Sequence, residues 1–146
     1  MALTGTYLRN LDEKHRLAIP KKLRDQFGNE PISSLYVCPG TEKSLALYSP
    51  GEFERLAQRL AAQSSPGRQF QNYLRLFYAR SDCAQLDVQG RILIPEWLVQ
   101  HAGLQKDVVM IGVHDRAEIW DRETWNEFIT AQAPGFDDLA FNAPGT

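Results

Sequence analysis

Hydrophobic positions along the chain switch repeatedly between a period of two and a period near 3.6, and each switch marks an element. Residues 7–9 and 17–19 predict two short strands flanking the polar turn Asp12-Glu13-Lys14-His15. Pro20 suits the first turn of a helix whose stripe is Leu23 and Phe27, and Gly28 fits the left-handed position that ends it. Residues 35–37 and 45–48 predict a β-hairpin. Ser49-Pro50-Gly51-Glu52 reads as a capping box, followed by Phe53, Leu56, Ala57 and Leu60 at helical spacing. A further helix is predicted over 66–78, capped by Ser65, with the stripe Phe70, Tyr73, Leu74 and Phe77. The series then begins again: Pro95, Leu98, Ala102 and Gly103 mark a short helix, 108–113 and 117–120 a second hairpin, and Asp121 caps a helix carrying Trp125, Phe128 and Ile129. His114 and Asp115 fall in the polar turn of that hairpin.

The recurrence is a true internal repeat. Residues 11–28 align without a gap on 86–103 at an offset of 75, with Leu, Asp, Arg, Ile, Pro, Leu and Gly recurring where about one identity is expected by chance. At an offset of 72, Leu47-Tyr48 and Phe53 match Ile119-Trp120 and Trp125. The chain therefore divides into a first repeat with its closing helix over 1–62, a connecting helix over 63–78, a second repeat with its closing helix over 79–130, and a loose acidic tail over 131–146. A half of about 70 residues buries only roughly 60% of its surface, which is marginal for independent folding. Two interlocked halves sharing one core resolve this. The expected fold is α+β, a pseudo-twofold β unit with flanking helices and the two Asp-x-x-x-Arg turns on related surfaces.

Composition narrows the class. The 146 residues are 43% hydrophobic and 23% charged, within the globular range. The longest apolar run, residues 108–111, is far short of the about 18 residues a membrane helix needs. The first residues lack a secretory leader pattern, so a cytoplasmic location is expected. Cys38 and Cys83 have no partner at ligand spacing and read as reduced thiols. No metal or cofactor is expected. His15, His101 and His114 are scattered, and no nucleophile elbow or phosphate loop occurs, so no catalytic residue and no small-molecule substrate is expected.

The net charge of −2 conceals a strong division. Residues 1–80 hold 12 Lys/Arg against 7 Asp/Glu, and residues 81–146 hold 4 against 11. Within the first part Arg9, Lys14, Arg16, Lys21, Lys22 and Arg24 cluster against only Asp12 and Glu13, a candidate anion-binding edge. An Asp and an Arg four positions apart across a tight turn allow two roles. The carboxylate holds the turn N–H groups and the guanidinium as a structural clasp, or it orients an Arg fork toward phosphate or a guanine edge. The basic neighbours favour the second role for Arg16, with Lys14, His15, Arg9, Lys21, Lys22 and Arg24 as accompanying DNA contacts. The acidic neighbours of Arg91 favour the clasp, with Asp12, Asp87 and Gly90 as structural members of the motif.

The paired L-D-x-x-x-R-[LI]-x-I-P segments, together with Leu76-Phe77-Tyr78-Ala79, Ala102-Gly103-Leu104 and Glu118-Ile119-Trp120-Asp121, resemble the MraZ family over residues 5 to about 129. The resemblance implies two tandem swapped-hairpin repeats related to the AbrB and MazE DNA-binding modules. It also implies a ring-shaped homo-oligomer acting on double-stranded DNA at promoter direct repeats, associated with the nucleoid, as a transcriptional regulator of the division and cell-wall gene cluster. Repeated edges in a ring would supply by multivalency the affinity that one edge lacks. Two positions depart from the family pattern. His15 replaces a Gly, which predicts a less extreme backbone angle in the first turn, and Thr4 replaces an Arg. Those departures and the acidic second half motivate the alternative, an oligomeric interaction or scaffold protein that kept the fold without DNA binding. The second motif, Asp87 to Arg91 with Gly90, follows the pattern throughout.

Overall fold

A computed structural model describes residues 2–28, 30–63 and 67–145. The first repeat runs β1 (Thr6–Asn10), β2 (Arg16–Ala18), α1 (Lys21–Gln26), β3 (Ser34–Pro39), β4 (Leu45–Tyr48) and α2 (Pro50–Ala61). After α3 (Arg68–Arg80), the second repeat follows the same plan with β5 (Asp82–Gln85), β6 (Arg91–Leu93), α4 (Glu96–Ala102), β7 (Asp107–Val113), β8 (Arg116–Asp121) and α5 (Arg122–Gln132). A short 3-10 turn, Ala133–Gly135, leads into α6 (Phe136–Asn142).

The strands form a six-stranded antiparallel sheet in the order β1-β7-β8-β4-β3-β5, and a separate ribbon of β2 with β6. Exchanging the two repeats maps this order onto itself, which is the pseudo-twofold relation the repeat implies. The first strand of each repeat pairs with the third strand of the other: Leu8 faces Val109, and Tyr36 faces Cys83. The strands flanking the 12–15 turn meet each other only at a single Leu11–Leu17 bridge, because β1 continues into the large sheet while β2 turns into the ribbon. Neither half could keep its sheet without the other. The buried core is correspondingly joint, with Leu17, Leu23, Leu35 and Leu47 packed in one cluster with Ile92, Ile94, Leu98 and Ile119. Replacing such a residue by Ala costs about 2–5 kcal/mol.

Helix ends depart from the sequence expectations in instructive ways. Pro20 and Pro95 occupy the capping residue ahead of α1 and α4, not the first helical position. Gly103 takes the left-handed conformation expected after α4, at φ 60°. Gly28 does not take it after α1: the helix closes at a right-handed Phe27, whose N–H donates to the Arg24 carbonyl. Ser49 accepts the Glu52 N–H at 3.2 Å, but the Glu52 carboxylate pairs with Arg55 and does not return to the cap. Asp121 stands at the cap of α5 without a capping bond, because its carboxylate accepts the Gln105 N–H at 3.0 Å and so fastens the α4–β7 connection. The expected cap Ser65 lies outside the described residues. The connecting helix starts at Arg68 and continues past position 78 to Arg80. Within the expected loose tail, residues 136–142 are helical.

The apolar stripes of α2 and α3 pack largely on each other. Phe53 of α2 stacks on Tyr36 with centroids 4.0 Å apart, and on Phe77 of α3 at 6.4 Å, over buried Cys38, Ala46 and Tyr48. Burial pushes the Cys38 thiol up to about 12, so it stays protonated, and both cysteines are free. Trp120, Trp125 and Phe128 form the corresponding cluster in the second half. No helix among the described residues is long and apolar enough to cross a membrane.

Candidate nucleic-acid interface

The β2–β6 ribbon builds the candidate site. In its register Arg16 faces Leu93, Leu17 faces Ile92 and Ala18 faces Arg91. Alternation along a strand sends Leu17 and Ile92 into the core, where both are fully buried, and leaves Arg16 and Arg91 together on the opposite, outward face. A pair of crossed bonds locks the two turns to each other. The Ile19 N–H donates to the Gly90 carbonyl at 2.9 Å, and the Ile94 N–H to the His15 carbonyl at 2.8 Å.

Each turn is a clasp, and the two make the same three bonds. Asp12 Oδ1 accepts the N–H groups of Lys14 at 2.9 Å and Arg16 at 2.8 Å, while Oδ2 accepts Arg16 Nε at 2.7 Å. Asp87 Oδ1 accepts those of Gln89 and Arg91, both at 2.9 Å, and Oδ2 accepts Arg91 Nε at 2.8 Å. The main-chain N–H of Arg16 is the chief cause holding the Asp12 carboxyl below its ordinary value, and that of Arg91 does the same for Asp87. The carboxylates stay ionised, and they engage only Nε of each guanidinium. Neither carboxylate bonds a terminal nitrogen, and the arginine side chains are about one-third exposed. A guanidinium held by Nε keeps a pair of terminal N–H donors of the kind that suits a phosphate or the O6/N7 edge of a guanine. The same clasp holds both arginines and leaves their terminal nitrogens unused by the carboxylates at both motifs.

The first turn does not relax at His15. Its φ is 62°, in the same left-handed region as the 75° of Gly90, so the expected less extreme angle is not adopted. The crossed bond from Ile94 needs the His15 carbonyl where a left-handed residue places it, and that need overrides the cost of a Cβ.

The interlocking also exchanges the neighbours that sequence assigned to each turn. Arg24 of the first repeat lies over the second turn, its Nε donating to the Ile19 carbonyl at 3.1 Å, and a Cβ on Gly90 would stand 2.9 Å from its Cζ. Glu96 of the second repeat reaches the first turn, 3.3 Å from His15 Nδ1. The basic environment assigned to Arg16 is thus shared with Arg91. Of the other expected contacts, Lys14 and Lys22 are exposed, Lys21 is paired with Asp25 at 3.0 Å, and Arg9 donates to the carbonyl of Leu8 at 2.7 Å. Lys106 carries no signal in the sequence. Its carbonyl accepts the Leu11 N–H at 2.8 Å, and it lines a recess with Asp12, Glu13 and His15. Only the repeat-exchanging pairing of β1 with β7 brings it there. Among the described residues no group of His, Cys, Asp and Glu is placed to hold a metal ion.

Two tandem repeats exchanging strands around paired Asp-x-x-x-Arg clasps fit one family model, described as "MraZ protein, putative antitoxin-like", which matches residues 2–74 and 77–140. The chain belongs to the MraZ family. The two matched segments divide the chain near the end of α3, where the repeats meet. Among curated MraZ relatives, the chain is 39% identical over 138 residues to the "Transcriptional regulator MraZ" of Lactobacillus helveticus, covering 94% of each protein. It is 37% identical over 138 residues to that of Bifidobacterium longum, covering 94% of this chain and 89% of the relative. That of Micrococcus luteus is 37% identical over 134 residues, covering 92% and 91%. These MraZ proteins are named as regulators of transcription, not as enzymes.

Proposed function

We propose that the chain is a DNA-binding transcriptional regulator, acting in the cytoplasm on promoter direct repeats as a ring-shaped homo-oligomer, with the division and cell-wall gene cluster as its target. The observation that carries this reading is the outward face of the ribbon, where Asp12 and Asp87 fix two guanidinium groups by Nε and leave their terminal donors unused by the carboxylates. Arg16 and Arg91 contact the duplex together, accompanied by Lys14, His15, Lys22 and Arg24, with Arg9 and Lys21 at the margin. The left-handed His15 keeps the first turn in the same conformation as the second, which removes one motive for a scaffold without DNA binding. A single chain offers few phosphate contacts, so copies in a ring reading successive half-sites would supply affinity by multivalency.

Fluorescence anisotropy on a duplex carrying the direct repeats of the chain's own promoter tests the reading. Binding at physiological salt is expected to be at least about 10³-fold tighter than to a scrambled duplex, and to weaken when the repeat spacing is changed by half a helical turn. Equal binding to both duplexes, or none at low salt, would contradict it.

A further inference from the structure

The pseudo-twofold relation breaks at the helices that follow α2 and α5. In the first half, the chain after α2 folds back as α3 over β3 and β4, with Phe77 buried against Cys38, Ala46 and Phe53. In the second half, the chain after α5 passes through the 3-10 turn into α6, which leaves Phe136 68% and Leu139 55% exposed on one face and Phe141 87% exposed on the other. Three large apolar side chains on a seven-residue helix are costly to leave in water.

A complementary cavity lies elsewhere on the same chain. Between α3 and the centre of the sheet there is an open-sided space of about 340 Å³, bordered by Leu56, Tyr73, Leu76 and Phe77, by the Arg116–Glu118 pair and by Arg80. Its apolar wall reaches the surface, with Tyr73 49% and Leu76 58% exposed. The charges are opposed as well. α3 carries Arg68, Arg75 and Arg80 and no acid, whereas α6 carries Asp137 and Asp138 and no base. Among the described residues Arg80 makes no ion pair.

We infer that α6 of one copy docks into this cavity of a second copy, Phe136 and Leu139 entering between α3 and β4 while Asp137 and Asp138 face Arg80. The two contact surfaces differ, so the contact is heterologous and each subunit uses one of each, the geometry that closes a ring when the rotation per subunit permits. This rests on the oligomeric reading above and adds the surfaces that make the ring.

Light scattering coupled to size exclusion tests it with two variants altered only at exposed positions, Leu76→Asp in the cavity wall and Phe136→Ser with Leu139→Ser in α6. Far-UV circular dichroism and thermal melts verify that each folds. Wild type is expected to assemble, and each variant to dissociate with at least about a tenfold weaker subunit contact. Mixed, the two variants retain one intact surface of each kind and are expected to form a one-to-one pair and nothing larger. A second pair of changes removes dependence on the apolar substitutions: Arg80→Glu alone weakens assembly, and combining it with Asp137→Lys and Asp138→Lys restores it. Variants that assemble like a wild-type oligomer would overturn the docking surfaces and leave the ring itself standing. A wild type that is monomeric would overturn both.

Discussion

At the residue scale the decisive groups are Asp12 and Asp87, each of which holds two main-chain N–H groups and one guanidinium nitrogen. Their carboxyls lie below the ordinary aspartate value, chiefly through the N–H groups of Arg16 and Arg91. A carboxyl whose value falls on folding contributes stability that is fully present above its unfolded value and disappears as pH falls through the folded one. The melting temperature should therefore hold steady near neutrality and decline below about pH 4. Asp12→Asn with Asp87→Asn should lower the melt at pH 7 and flatten that acid limb, as thermal melts across pH would record; an unchanged acid limb would show that other carboxylates dominate. The Asp-x-x-x-Arg spacing made the clasp legible in the sequence. That both turns would be left-handed was not legible at His15, because the carbonyl position demanded by Ile94 comes from the other repeat.

At the element scale, the edge strand β1 depends on a glycine that strand propensity does not single out. Gly112 of β7 lies so close to the first residues that a Cβ would stand 2.3 Å from the Thr4 nitrogen and 2.6 Å from the Leu3 carbonyl carbon, both main-chain atoms that cannot yield. Its N–H donates to the Gly5 carbonyl at 2.9 Å, between the β1–β7 ladder and the Leu3–His114 bridge. Gly112→Ala should destabilise the protein by about 2–4 kcal/mol, and hydrogen exchange should show weakened protection at Leu3 and His114. Wild-type protection there would contradict the close approach. The period of the hydrophobic positions located six of the eight described strands to within a few residues; β5 and β6 were given no bounds by it, and α6 falls within the expected loose tail. Strand partners were beyond its reach: a three-residue segment such as β2 carries too little pattern to specify β6 over β1, and the choice is made by the joint burial of Leu17 and Ile92.

At the scale of the whole molecule, the interlocking of the repeats turns a charge asymmetry in sequence into a mixed surface. Arg24 leaves its own motif to cover the Gly90 turn, and Glu96 leaves its own to meet His15. The unequal duties that neighbours in sequence suggest for Arg16 and Arg91 therefore have no counterpart in the clasps, which match bond for bond. The proposed contact with the duplex is made by both guanidinium groups, on one outward face of the β2–β6 ribbon. The most direct measurement is a salt series of promoter binding by wild type, Arg16→Ala and Arg91→Ala. Each substitution is expected to weaken binding and to make the slope of affinity against salt concentration shallower by about 1 for every phosphate that a chain no longer neutralises. Unchanged affinity and slope for Arg16→Ala would contradict it, and a weakening confined to Arg16→Ala would return Arg91 to a purely structural role.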